Sequence, residues 1–180
     1  ILAVLTVRCF AQWTFSRDSS ATWEQAIARY QELDRMHSGA ALFEIGEDDD
    51  GSPIHVFIIS DGRGSTPDSI RASGKNILWI TNGIHPGEPD GVDASLLLAQ
   101  ALLESDQLMG LVTHTAVCIV PMYNVSGAKR RGGFSRANQD GPVEYGFRGN
   151  ARNLDLNRDF IKTDSRNMWT MADALNIMDP

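Results

Sequence analysis

Cysteine is nearly absent from this chain of 180 residues, which contains only two. Cys9 lies close to the N-terminus, and Cys118 lies in an apolar segment where a thiol acts as a small buried hydrophobic group. So few cysteines exclude a disulfide scaffold, and they give no sign of a metal site built from several thiolates.

Long apolar runs and an excess of positive charge are also missing. The apolar residues 1–7 are too few to cross a membrane, and no membrane span is expected. The net charge of −7 argues against a protein that binds nucleic acid or anionic membranes. With 42% hydrophobic and 22% charged residues, the composition is that of a soluble globular protein of one domain.

The N-terminal apolar stretch has a second interpretation. Residues 1–7 resemble the hydrophobic region of a secretory signal, and Cys9-Phe10-Ala11 is a passable cleavage site. We therefore expect residues 1–11 to be the remnant of a signal peptide and the protein to be secreted or periplasmic. The alternative is an N-terminal strand or a partly buried arm. Because the sequence starts at Ile1 and stops at Pro180, just after a predicted helix, we also expect a fragment of a longer gene product.

The first half of the chain predicts a helix followed by a hairpin. Residues 21–38 have an apolar stripe at helical spacing, and Thr22 with Gln25 forms a capping box. Residues 41–46 and 54–60 read as two strands, joined by the acidic stretch 47–53. That stretch lacks the ligand spacing of a calcium-binding loop, so we expect an exposed turn.

The rest of the chain alternates strands and helices. Residues 61–75 are rich in Gly, Ser and Pro and predict a loop, and the apolar run 76–80 predicts a central strand buried on both faces. A helix over 92–104 and a strand over 114–121 complete a unit that favours parallel pairing. The long basic and glycine-rich segment 123–153 is expected to form a wall of a cleft.

Two further features follow this segment. Alternation places Leu154 and Leu156 on one face of the chain, and Asp155 and Asn157 on the other. A final helix, capped by Asp164 or Ser165, runs to about residue 178 and carries a methionine-rich stripe that is typical of a core.

The turn that follows the strand over 76–80 carries the first candidate site. It reads Thr81-Asn82-Gly83-Ile84-His85-Pro86-Gly87-Glu88-Pro89-Asp90-Gly91. Ligands bind at the C-terminal ends of strands in open α/β sheets, and the two prolines and Gly87 make this turn stiff. An imidazole and a carboxylate three residues apart can both bind one zinc ion. The same pair is also compatible with an ordinary polar contact at the surface.

A second constellation lies downstream, and the two together carry a resemblance. Arg148-x-Asn150 is followed by Asp155-Leu156-Asn157-Arg158. This order resembles the zinc metallocarboxypeptidases of the carboxypeptidase A type, in particular a bacterial branch. The resemblance spans about residues 76–160. It implies an α/β fold with a mixed, largely parallel sheet flanked by helices in three layers, truncated at the C-terminus, with residues 12–180 as the N-terminal part of a catalytic domain.

The resemblance also implies a role for each matching residue. His85 and Glu88 match two protein ligands of a catalytic zinc, and Asp155 matches the carboxylate that hydrogen-bonds the metal-bound histidine. Asn157 and Arg158 match the pair that holds the terminal carboxylate of a peptide or peptide-like substrate. Arg148 matches the arginine that stabilises the oxyanion, with Arg152 as the alternative.

Three parts of that family's pattern are missing. No histidine follows Arg158, so the third zinc ligand is not found, and neither are the general-base Glu or the specificity-pocket residues. Truncation at Pro180 explains all three, and we expect this fragment to be inactive by itself.

Two other functions remain open. An amidase of the aspartoacylase or succinylglutamate-desuccinylase type shares the metal and Asn-Arg motifs, although those proteins favour Gly-x-His-Gly-Asn-Glu at the turn. A non-catalytic peptide-binding remnant of the fold is the alternative from outside the enzymes. Among peptidases, the visible residues do not separate protein substrates from muropeptides.

Overall fold

A computed structural model describes residues 18–61, 65–137 and 139–180. Four strands form one mixed sheet in the order β1-β2-β4-β3, namely β1 (Ala40–Glu47), β2 (Pro53–Ile59), β3 (Asn76–Thr81) and β4 (Thr115–Val120). The helices are α1 (Trp23–Met36), α2 (Pro67–Ser73), α3 (Asp90–Glu104), α4 (Asp106–Met109), α5 (Val125–Lys129) and α6 (Arg166–Met178). The mixed α/β architecture predicted from the sequence is confirmed.

The helices cover both faces of the sheet. Helices α1 and α3 pack on one face, where the rings of Tyr30 and Phe57 are in contact, with centroids 4.7 Å apart and planes tilted by 49°. Ile70 of α2 and Met178 of α6 pack on the other face, against Ile58 and the fully buried Cys118. Burial raises the pKa of the Cys118 thiol to about 12, which fits its predicted role as a small hydrophobic group.

The first helix and the hairpin are confirmed. Thr22 caps α1 through a complete capping box with Gln25. Strands β1 and β2 pair in antiparallel fashion, and β2 also pairs antiparallel with β4. Strands β3 and β4 pair in parallel, as the strand–helix–strand pattern predicted. Of the three strand pairings in the described sheet, two are antiparallel and one is parallel. The sheet is therefore mixed, but less of it is parallel than expected.

The loop predicted over residues 61–75 is wrong in its second half, where α2 forms. Thr66 and Ser69 build a capping box, Pro67 occupies the first turn, and Gly74 ends the helix in the left-handed conformation. The Ser, Pro and Gly residues that indicated a loop are therefore the caps of a short helix. Because Ile70 is the one buried residue of that helix, no apolar periodicity reveals it in the sequence.

The prediction that the 76–80 strand is central and buried on both faces is also wrong for the described residues. Strand β3 lies at the edge of the sheet, pairs with β4 alone, and leaves 49% of Leu78 exposed. Its apolar sequence suits a strand with a neighbour on each side. Within the described part of the chain, no strand supplies the second neighbour.

The acidic turn between β1 and β2 is not simply exposed, contrary to the prediction. Asp50 is exposed, but Asp48 is fully buried and accepts a 2.6 Å hydrogen bond from the backbone amide of Ser126. Burial raises the pKa of the Asp48 carboxyl, since the charged form loses solvation. A distant backbone donor, which the sequence does not indicate, draws this side chain inwards.

The C-terminal part departs from simple alternation as well. Leu156–Arg158 forms a 3-10 turn in which Leu156 is buried while Asn157 and Arg158 are exposed. Ser165 caps α6, as predicted, and Met168 and Met171 are buried. The long segment over 123–153 contains the short helix α5 but is otherwise irregular.

The prediction of a signal remnant over residues 1–11, including Cys9, lies outside the described residues. None of the described helices combines the length and apolar character needed to cross a membrane.

Candidate active site

The turn that carries His85 begins where β3 ends. The backbone amide of Asn82 donates to the carbonyl of Val120, and the amides of Tyr123 and Asn124 donate back to the carbonyls of Asn82 and Gly83. These bonds extend the parallel pairing beyond β3. Gly83 has a φ of 63°, a left-handed conformation that side chains other than glycine disfavour. The chain therefore turns sharply at Gly83 and delivers His85 to the C-terminal edge of the sheet.

His85 and Glu88 present their side chains to each other across this turn. The amide of Glu88 donates to the carbonyl of His85 at 2.9 Å, which closes the turn. His85 Nδ1 and Glu88 Oε1 lie 3.4 Å apart. The imidazole is buried, whereas the carboxylate is half exposed. The turn predicted from the two prolines and Gly87 is therefore formed, with its imidazole fixed and its carboxylate accessible.

Asp155 holds the far side of the imidazole. Its Oδ1 accepts a 2.9 Å hydrogen bond from His85 Nε2, and its Oδ2 accepts bonds from Arg148 Nη2 at 2.8 Å and Nε at 3.2 Å. Burial raises the pKa of Asp155, but the hydrogen bonds from His85 and Arg148 outweigh it and lower the pKa to about 2. An ionised carboxylate only accepts hydrogen bonds, so the proton lies on Nε2. The lone pair on Nδ1 then accepts from Arg148 Nη1 at 3.3 Å, with Glu88 Oε1 beside it.

Arg148, and not Arg152, belongs to this group. Arg148 Nη1 lies 3.3 Å from His85 Nδ1 and 3.9 Å from Glu88 Oε1. Arg152 instead donates to the carbonyl of Asp164 at 2.7 Å and lies 3.7 Å from Asp49. Of the two candidates for the oxyanion role, the structure therefore brings only Arg148 to His85 and Glu88.

Asn157 and Arg158 lie next to Asp155 on the exposed 3-10 turn. The amide of Asn157 donates to Asp155 Oδ1 at 3.0 Å, and Arg158 Nη1 donates to the carbonyl of Asn157 at 3.0 Å. Arg158 and Asp155 line one open cavity of about 130 Å³. The guanidinium thus lies at the surface beside Asp155, which is itself partly exposed, while His85 behind it is buried.

Two residues that the sequence did not single out close the other side of the site. Arg136 donates to Glu88 Oε1, and this bond lowers the pKa of the Glu88 carboxyl. Gln139 Nε2 donates to the carbonyl of Gly87 at 2.8 Å. Both come from the basic, glycine-rich segment that was expected to form the wall of a cleft. Their position in that segment was the one signal for them.

The donor atoms of His85 and Glu88 suit zinc. Two ligands at about 2.0–2.2 Å from a tetrahedral ion stand about 3.4 Å apart, which matches the separation of Nδ1 and Oε1. A carboxylate on the far nitrogen of a ligating histidine is the usual second contact of such sites. No group of three or more His, Cys, Asp and Glu side chains able to hold a metal ion occurs among residues 18–61, 65–137 and 139–180. Among the described residues, the candidate ligands brought together at this turn are therefore His85 and Glu88.

Comparisons with known proteins show the family and the fold of this chain. Residues 27–175 match the family model for zinc carboxypeptidases. No curated protein sequence matches the chain significantly.

Solved structures share the fold at low sequence identity. Carboxypeptidase A from Helicoverpa armigera has a TM-score of 0.68 and 19% identity, over 89% of this chain and 43% of that one. A metallo-carboxypeptidase from Burkholderia cenocepacia has a TM-score of 0.64 and 20% identity, over 87% and 38% of the two chains.

A third similar structure contains a bound ligand. It is a metallo-carboxypeptidase from Pseudomonas aeruginosa in complex with (2-guanidinoethylmercapto)succinic acid, with a TM-score of 0.62 and 21% identity, over 87% of this chain and 37% of that one. The chain thus spans roughly two fifths of the length of these three structures. The match to the family model covers most of the sequence, and the chain belongs to the zinc carboxypeptidase family.

Proposed function

We propose that this chain forms part of a zinc metallocarboxypeptidase that hydrolyses a C-terminal peptide bond. The observation that carries the proposal is the pairing of His85 Nδ1 with Glu88 Oε1 at 3.4 Å while Asp155 holds Nε2. A bound zinc ion supplies Lewis acidity that activates water and polarises the scissile carbonyl. His85 and Glu88 would hold it.

The other residues bind and orient the substrate in this proposal. Arg158 and Asn157 take the terminal carboxylate, because a planar guanidinium can donate two parallel hydrogen bonds to it. Arg148 stabilises negative charge that develops on the carbonyl oxygen. In the described structure Arg136 donates to Glu88 Oε1 and Arg148 donates to His85 Nδ1, so a zinc ion bound by these two atoms would replace both contacts.

The proposal extends to a larger catalytic domain. The chain spans 43% or less of the three carboxypeptidase structures described above, and no described strand pairs with the outer edge of β3. A third metal ligand and a general base would come from sequence beyond Pro180. Sequencing the source gene past this codon tests the point. A strand with a histidine soon after it, and a glutamate farther on, is expected, whereas a stop codon directly after Pro180 would contradict it.

Secretion or export to the periplasm is part of the same proposal and rests on the sequence of residues 1–11. The mature N-terminus, determined by mass spectrometry, is expected to lie after Ala11. A mature protein that retains Ile1 would overturn this point.

Substrate assays test the reaction itself. We expect the gene product that contains this chain to release the C-terminal residue of blocked dipeptides or muropeptides that end in a free carboxylate, and to lose this activity with a chelator. Faster hydrolysis of N-acyl amino acids would favour the amidase alternative. Tight binding of blocked dipeptides without hydrolysis would favour a non-catalytic peptide-binding protein.

A further inference from the structure

The loop between Arg148 and Asp155 is shaped by one buried side chain. Asn150 is fully buried, and its Oδ1 accepts the backbone amides of Arg152 and Leu154, both at 3.0 Å. These two bonds fold the loop around the carboxamide. The conformation of Asn150 therefore sets the spacing between Arg148 and Asp155, which both contact His85.

The other end of the same carboxamide is held from distant parts of the chain. Asn150 Nδ2 donates to Asp49 Oδ2 at 2.6 Å and to Asn167 Oδ1 at 3.3 Å. Asp49 lies in the turn between β1 and β2, and its Oδ1 accepts the amide of Arg166 at 3.1 Å. Asn167 in turn donates to the carbonyl of Tyr123 at 3.0 Å. One side chain thus joins the hairpin turn, the start of α6 and the segment after β4.

Few other side chains could replace Asn150 or Asp49 in this arrangement. The carboxamide of Asn150 uses both N–H donors and both acceptor positions, and the side chain of Asp49 is only 8% exposed. A buried polar group that loses its partner carries the full cost of desolvation. An aspartate in place of Asn150 would set two carboxylates against each other where one short hydrogen bond now stands.

We propose that Asp49 and Asn150 are positioning residues for the site. By fixing the loop over 150–154 they hold Arg148 and Asp155 at the distances that orient His85, although neither contacts His85 itself. The catalytic consequence rests on the proposed function, whereas the geometric one does not. The acidic turn thus contributes to the site from 101 residues upstream of Asn150.

A charge swap tests this proposal in the gene product that contains this chain. Asn150→Asp is expected to lower kcat about 10- to 100-fold while KM stays within about threefold, since misplacement of a catalytic group by about 1 Å has effects of this size. Asp49→Asn removes one bond in either orientation of its amide, and we expect a loss of about three- to tenfold. This milder variant still tests the pair if Asn150→Asp fails to fold.

The double variant Asp49→Asn with Asn150→Asp restores a donor opposite an acceptor. We expect kcat to recover to within about fivefold of the parent, because the shorter bond returns while the longer contact to Asn167 does not. Asp50→Asn is the matched control, since Asp50 belongs to the same acidic turn but is exposed and accepts from Ser52 within that turn. It should leave kcat unchanged.

Amide hydrogen exchange of the metal-free protein tests the geometric consequence, the fixed loop, separately from the catalytic one. Faster exchange over residues 150–155 in the single variants, with recovery in the double variant, supports the positioning role even if the parent hydrolyses no peptide. Unchanged exchange in that segment overturns it. So does a double variant that is no better than Asn150→Asp, or a pair of single variants that lower Tm and leave kcat intact.

Discussion

Replacing Asp155 with asparagine gives the sharpest test of how the imidazole is held. The carboxylate now accepts from His85 Nε2 through one oxygen and from two nitrogens of Arg148 through the other. An asparagine has a single side-chain oxygen, so it can accept from His85 or from Arg148 but not from both in this geometry. If the oxygen faces Arg148, the amide group donates to Nε2 and drives the ring proton to Nδ1, the atom that a metal needs. If the oxygen faces His85, the amide group confronts the guanidinium.

Either orientation weakens the proposed zinc site. Loss of such a contact to a ligating histidine typically lowers metal affinity 10- to 100-fold, which corresponds to about 1.4–2.7 kcal/mol. Competition with a chromophoric chelator at pH 7 measures this affinity in the gene product that contains this chain. Asp173→Asn, which changes an exposed aspartate on α6, is the charge-matched control.

The test compares the zinc affinities of the parent, Asp155→Asn and the Asp173→Asn control. The control should bind zinc within about twofold of the parent, and Asp155→Asn should fall at least tenfold below both. An Asp155→Asn protein that binds zinc as tightly as the control would mean that the His85–Asp155 bond has no bearing on the metal.

Three other predictions follow from named contacts. Arg158→Ala should raise KM for substrates with a free carboxylate at least tenfold and leave amidated analogues unaffected, and equal kinetics on both substrates would contradict its role. Because the pKa of Asp155 is lowered to about 2, its stabilising effect is present above pH 4 and is lost as the pH falls towards 2. Urea unfolding should therefore show a larger acid destabilisation in the parent than in Asp155→Asn, and equal loss would contradict it. Gly83→Ala should reduce the free energy of unfolding by about 1–2 kcal/mol, since φ is 63° and the new methyl group meets Met122. Gly110→Ala, at an open helical position, is its control and should change stability little.

Local signals in the sequence predicted the parts of the fold that are governed by near neighbours. The capping box of Thr22 and Gln25 marks the start of α1, and the acidic turn joins two strands that pair as a hairpin. Parallel pairing of β3 with β4 followed from the helix between them. Each of these features depends on residues that are close in sequence or on a general rule of chain connection.

The misassigned regions depend on distant partners or on short elements. Helix α2 buries only Ile70, so it leaves no periodic pattern. Asp48 looks like part of a solvated turn until the amide of Ser126, 78 residues away, accounts for its burial. The apolar strand β3 appears central because its sequence would suit a neighbour that the described residues do not supply.

In the candidate site, too, the sequence predicted local features but not the contacts between distant residues. The spacing of His85 and Glu88 indicated a site after β3, and the resemblance to zinc carboxypeptidases added Asp155 and Arg158. The structure was needed to choose Arg148 over Arg152, since both lie in one short segment and differ in the carboxylates they contact. The bond of Arg136 to Glu88 spans 48 residues of irregular chain, and no periodicity predicts such a contact.

His85 and Glu88 are proposed to hold a catalytic zinc ion. The most direct test measures zinc content, together with release of the C-terminal residue from a blocked dipeptide, in the gene product that contains this chain and in its His85→Ala and Glu88→Ala variants. We expect about one zinc ion per chain and chelator-sensitive hydrolysis in the parent, with both lost or sharply reduced in each variant. Zinc content and hydrolysis that persist in His85→Ala would contradict it.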